Sequence, residues 1–176
     1  QDSPSSQLRV SVACFRWNGE AIETIVLPDG YLPSAPPDPC ESLAVTAQRV
    51  VQSIFEASPA YVEQLYTFSY VSTSARETVV TYIALFAPDA AGSVNWQSLE
   101  SIRTLPDRPA MVMNYATVRL RAKLEYTAIA FHLMPNAFTL AELQLAYESI
   151  LGAQLDKRNF RRRMATSGML EETADM

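Results

Sequence analysis

The chain has 176 residues, 48% of them apolar and 19% charged, with 14 Lys and Arg against 19 Asp and Glu for a net charge of −5. That composition excludes intrinsic disorder and leaves room for one domain of about 150 residues, or a smaller one with an added module. No apolar run reaches the roughly 18–20 residues of a membrane span, two cysteines are too few for a zinc site, and the overall charge argues against nucleic acid as a partner.

The N-terminal stretch Gln1–Gln7 is rich in Ser and Pro and reads as a flexible start without the apolar core of a signal peptide. Leu8–Trp17 and Ala21–Leu27 are expected strands around an Asn18-Gly19 turn, and the proline-rich Pro28–Pro39 is expected to be a loop. Glu41–Ala57 carries Leu43, Ala47, Val50, Val51, Ile54 and Phe55 at helical spacing, with Ser58-Pro59 as its stop. Strands at Val62–Tyr70 and Thr78–Phe86 follow, then a loop or short turn element at Ser101–Arg108. From there the pattern is purely helical. Tyr115–Leu133 is closed by Pro135, Thr139–Leu151 opens on a Thr139/Glu142 capping box and stops at Gly152, and Asp156–Thr166 has Asp156 as its N-cap.

Charge divides along the same line. Residues 1–115 carry a net −6 and residues 116–176 a net +1, with a local +4 within Asp156–Met164. The acidic average therefore describes neither part, and the argument against nucleic acid fails for the tail.

Glu41, seven residues and Arg49 reproduce part of the spacing G-x5-E-x7-R-E-U-x-E-E-x-G-U, in which U is a bulky aliphatic residue. On that spacing the segment resembles the Nudix box, whose glutamates share one helical face and hold Mg²⁺ against a diphosphate. The positions after Arg49 read Val50, Val51, Gln52, Ser53 and Ile54, so the three expected carboxylates are absent. The glycine position holds Ala35, and Gly30 lies five residues too far upstream. Glu41 alone cannot assemble a magnesium site, and no metal or cofactor is expected.

Tyr61–Phe86 resembles the strand pair that follows the box in the Nudix-related transcriptional regulators. The segments RAKLEYTAIAFHLMP (Arg121–Pro135), FTLAELQLAYESILG (Phe138–Gly152) and LDKRNFRRRM (Leu155–Met164) resemble the connecting helix and winged helix-turn-helix of that family. The resemblance implies an α+β fold, a Nudix-like α/β/α sandwich with a C-terminal winged helix. It also implies an effector such as ADP-ribose or a sugar phosphate, and hence a link to NAD metabolism. The family's Gly- and Arg-rich wing should follow Ser167–Leu170, where this sequence instead reads EETADM, so a truncated or missing wing is expected.

Read from the residues, the last helix places Phe160 and Met164 inward at i and i+4, leaving Arg158, Arg162 and Ala165 opposite and Asn159 and Arg161 on the flanks. This is the layout of a helix that enters the DNA major groove. The expected DNA contacts are Lys157, Arg158, Asn159, Arg161, Arg162 and Arg163. Arg16 and Arg76 are the cations expected to face an anionic effector. His132 is expected to be a packing residue, and Tyr115, Leu120, Leu124 and Phe131 to form a seam against the first domain or across a dimer.

These observations lead to an effector-sensing, catalytically degenerate domain at residues 8–115, a connecting helix at 116–135 and a DNA-binding domain at 136–176. The protein is expected to be a cytoplasmic homodimer that binds double-stranded DNA and a small anionic effector and does not enter the membrane. Two other readings stay open. One is a hydrolase that draws metal ligands from Glu41, Glu56 and Glu77; the other is a protein-interaction module whose basic helix meets an acidic partner.

Overall fold

A computed structural model describes residues 5–72, 75–90 and 95–171. Residues 1–4 of the expected flexible start and 172–176 of the expected wing region lie outside the described residues. Ser5–Gln7, expected to be flexible, instead begin the first strand.

The strands are β1 (Ser5–Trp17), β2 (Ile22–Ile25), β3 (Ser34–Ala35), β4 (Tyr61–Val71), β5 (Ala75–Phe86) and β6 (Trp96–Ser98). They form one mixed sheet in the order β4-β5-β1-β2-β6, with β3 also paired to β1. Only the β1–β5 ladder among these pairs is parallel, and it puts the two most apolar strands in the middle. The β1–β2 hairpin turns where Asn18 Oδ1 accepts from the backbone N–H groups of Glu20 and Ala21, and Gly19 takes φ +101°.

Because side chains alternate along a strand, β1 serves two cores. Val10, Val12 and Cys14 pack beneath helix α1 (Leu43–Gln52), against Ala47, Val50 and Val51. Ala13, Phe15 and Trp17 point to the opposite face, where helix α2 (Asp107–Tyr126) covers the sheet with Val112, Ala116, Leu120 and Leu124. Leu120 and Leu124 of the expected seam are thus buried within the chain.

The expected helix Tyr115–Leu133 is found as α2 followed by a 3₁₀ turn at Ile129–Leu133. The start moves eight residues upstream because Pro109 falls in the first turn, where no N–H donor is needed. The end comes early because Thr127 leaves the helical conformation while its Oγ1 donates back to the Lys123 carbonyl at 2.8 Å.

Helix α3 (Leu140–Leu151) has the expected reciprocal cap. Thr139 Oγ1 accepts from the Glu142 N–H at 3.1 Å, and the Glu142 carboxylate accepts from the Thr139 N–H at 2.7 Å. Gly152 ends it at φ +68°, in the left-handed conformation that glycine adopts without penalty. Helix α4 (Lys157–Thr166) starts at Asp156, whose side chain accepts from the Asn159 N–H at 2.8 Å. No described helix is long and apolar enough to cross a membrane.

Candidate DNA-binding helix and effector pocket

The connection between α3 and α4 is held by side chains of α3. Glu148 Oε1 accepts from the Leu155 N–H at 2.8 Å and from Gln144 Nε2 at 2.9 Å, while Gln144 Nε2 also donates to the Leu155 carbonyl at 3.0 Å. The Leu155 N–H, with Gln144 in support, holds the Glu148 carboxyl below its ordinary pKa. Underneath, Tyr147 meets Phe160 edge-to-face with ring centroids 5.2 Å apart. Phe160 and Met164 are both buried, as the helical spacing requires.

With its apolar side fixed, α4 turns Lys157, Arg158, Asn159, Arg161 and Arg162 to solvent. Arg162 Nη2 donates to Asn159 Oδ1 at 3.2 Å, one turn back along the exposed face. Arg163 is exposed as well but is also engaged by α2. Its Nη2 donates to the carbonyls of Leu124 at 2.8 Å and Glu125 at 3.0 Å, at the C-terminal end of α2. A guanidinium there satisfies late helical carbonyls and meets the negative end of the helix dipole.

The two arginines expected at an effector site are not brought together. Arg16 pairs with Glu23 at 2.6 Å and lies 4.5 Å over the Trp96 ring. In the β1–β5 ladder Arg76 stands opposite Ser6, whereas Arg16 stands opposite Phe86. Ten residues of extended chain, roughly 33 Å, therefore separate them. They cannot grip one small molecule from opposite ends of the sheet.

A different pair of arginines does converge. A pocket of about 420 Å³ on the α2 side of the sheet is lined by Arg9 and Ser11 of β1, Glu77 of β5, Tyr70 of β4, Tyr31 of the loop, Ser34 of β3 and Arg108 of α2. Arg9 Nη2 donates to Ser34 Oγ at 2.9 Å. Arg108 pairs with Glu77 at 3.1 Å and stacks 4.2 Å over the Tyr70 ring. Arg108 is tied to Glu77, and Asp29 shares the lining; the guanidinium groups of Arg9 and Arg108 beside Tyr31 and Tyr70 are the groups that suit an anion attached to a flat ring. Arg9 could have been singled out as the one charged residue on the N-terminal half of β1, beside the core residue Val10, but Arg108 lies 99 residues away and no local pattern connects them.

On the other face, the remnant of the box makes a clasp. The Arg49 guanidinium donates to the Glu41 carboxylate and, at 2.9 Å, to the Pro36 carbonyl, while Thr46 Oγ1 donates to Glu41 at 2.9 Å. The Arg49 hydrogen bond, helped by the Asp38 N–H, lowers the Glu41 carboxyl to about 2. Val50 and Val51 are buried against the sheet. Glu77 faces α2, on the side of the sheet opposite α1, and is tied to Arg108. Among the described residues no group of three or more His, Cys, Asp or Glu could hold a metal ion, so Glu41, Glu56 and Glu77 do not converge.

Between the two halves, β4 and α2 are joined by charge. Glu63 accepts from Lys123, from Arg119 at 3.2 Å and from the Tyr61 hydroxyl. His132 stacks on Tyr61 at 5.0 Å, and burial lowers its pKa, as befits a packing residue.

Residues 130–176 match the family model of the NrtR DNA-binding winged helix domain. Over 62 residues, 35% of this chain, the sequence is 53% identical to the ADPR responsive transcriptional repressor NtrR of Acinetobacter baylyi. The match spans a quarter of that relative's length. The fold is similar to that of Shewanella oneidensis NrtR, with TM-score 0.84 and 24% identity, over 95% of this chain and 87% of that one. The same protein complexed with a 27mer DNA gives 0.80 and 22%, over 96% and 89%. The resemblance to Nudix-related transcriptional regulators is borne out: a Nudix-like α+β domain is followed by a winged-helix domain.

Proposed function

We propose that this chain is an effector-responsive transcriptional regulator whose α4 reads operator DNA. The observation that carries the reading is the division of α4 into a buried side, Phe160 and Met164, and an exposed basic side, Lys157, Arg158, Asn159, Arg161 and Arg162. Arginines on such a face suit guanine edges and phosphates, and Asn159 suits adenine. Arg163 acts from behind, fixing α4 to the end of α2. The +4 local charge supplies the phosphate attraction that the acidic remainder of the chain lacks.

The Nudix-like domain, residues 8–115, is the sensor, residues 116–135 connect it, and residues 136–176 bind DNA. The effector is a small anionic nucleotide or sugar phosphate, with ADP-ribose the first choice because the Acinetobacter baylyi relative is named as ADPR responsive. It binds between Arg9 and Arg108 rather than at Arg16 or Arg76. Binding needs no metal, and the domain does not hydrolyse its ligand, because Val50, Ser53 and Ile54 stand where the box places carboxylates.

The regulator works in the cytoplasm as a homodimer. Met111, Tyr115 and Val118 form a helical stripe on α2 that is 40%, 45% and 55% exposed, and Tyr115 stacks on the exposed Tyr66 of β4 at 5.2 Å. A second copy packed on this stripe would pair two α4 helices for a palindromic site. Selection of bound duplexes from a random library, with and without a panel of nucleotides, tests the function. A recovered palindrome whose retention changes with one nucleotide supports it; a random pool in every arm contradicts it.

A further inference from the structure

A second cavity, twice the volume of the Arg9–Arg108 pocket, lies away from it. It is a cleft of about 840 Å³ where the β2–β6 edge of the sheet, α2 and the C-terminal end of α3 meet. Its floor is apolar: Ile22 and Met113 are buried there, with Leu99 and Ile102 beside them. Its rim is polar and contributed by both halves of the chain, Glu20 and Glu100 from the sheet side and Ser149 and Gly152 from α3.

The charge of this rim is one-sided. Arg121 is the one cation among the described lining residues, and its Nε donates to the Ile150 carbonyl at 2.7 Å. Ser149 Oγ donates to the Glu20 carbonyl at 3.1 Å, so the hydroxyl's proton is also taken up by the protein. Arg121 thus meets the negative end of the α3 dipole, and the two carboxylates remain to face an occupant. A phosphate would be repelled. An apolar floor of this size beneath an acidic rim fits a small molecule with a hydrophobic body and a cationic head.

We propose that this interdomain cleft is a second ligand site, selective for amphipathic organic cations such as protonated aromatic amines. The body lies on Ile22 and Met113, and the ammonium group meets Glu20 and Glu100. Because Ser149 and Gly152 belong to the domain that carries α4, an occupant contacts the sensor and the DNA-binding half together. The site stands independently of the anionic effector pocket and of DNA binding.

The test is a titration of the full-length chain, ¹⁵N-labelled, with phenethylamine and with phenylacetate, which share a ring and differ in charge. Phenethylamine is expected to move the amide signals of Ala21, Ser149 and Gly152 saturably, and phenylacetate to leave them in place. E20Q/E100Q should weaken the amine by about fivefold, as expected for losing two exposed charge contacts. A110W, which fills the cleft from α2, should remove binding. The proposal is overturned if the amine leaves these signals unmoved, if phenylacetate binds as well, or if either variant binds the amine as the natural chain does.

Discussion

Arg163 on the basic helix donates to the Leu124 carbonyl at 2.8 Å, joining α4 to the far end of the helix whose first turn carries Arg108. Helix α2 has 20 residues and so spans about 30 Å from the Arg9–Arg108 pocket to α4. A ligand that draws Arg108 away from Glu77 would act at one end of this rod, and Arg163 would carry the displacement at the other. The geometry offers a direct route for population shift between two placements of α4.

R163A should therefore differ from R158A. Loss of two hydrogen bonds to helix-end carbonyls should destabilise the fold by about 1–2 kcal/mol and lower Tm by several degrees. The salt dependence of DNA binding should change less than in R158A, because the guanidinium is already engaged by two carbonyls of α2. R158A should leave Tm in place and reduce the salt slope by about one. Calorimetry and binding titrations at several salt concentrations separate the two.

Truncation of the buried side of α4 should be costly. Met164 is 1% exposed, and M164A should destabilise the chain by about 2–5 kcal/mol through lost contacts and the cavity left behind. Chemical unfolding should show a lower midpoint, and DNA binding should fall with the folded fraction.

The box remnant predicts a pH dependence. The Glu41 carboxyl is lowered from 4.5 to about 2, chiefly by Arg49. A depressed folded pKa contributes stability that is present above the unfolded pKa and is lost as pH falls through the window from 4.5 to about 2. Thermal unfolding should decline across that window. In E41Q the natural chain's dependence there should be shallower.

Effector binding should follow the converging arginines. R9A and R108A should each weaken ADP-ribose by about tenfold or more, the size expected when a charged hydrogen bond to an anion is lost. R16A should leave affinity unchanged, since Arg16 pairs with Glu23. Excess EDTA should have no effect in calorimetric titration. A requirement for Mg²⁺ would contradict the account of the degenerate box.

The C-terminal helices were legible because their boundaries are local chemistry. Thr139 with Glu142, Gly152 and Asp156 mark ends that the structure keeps. The strands β3 and β6 were not legible, being two and three residues long and defined by their neighbours rather than by any period of their own. The start of α2 was hidden by Pro106 and Pro109, which read as loop residues yet fit a helix's first turn. Arg16 could have been recognised as a paired residue. The hairpin register places it opposite Glu23 across the predicted Asn18-Gly19 turn. The effector pocket, by contrast, depends on α2 crossing the sheet over Arg9, which only tertiary structure supplies.

The most direct test of the central claim is the salt dependence of duplex DNA binding by the natural chain and by R158A/R162A. The account predicts a slope of log K against log salt of about −4 or steeper for the natural chain, reduced by about two per chain in the variant, with Tm unchanged. Equal affinity and equal slope for the two proteins would contradict it.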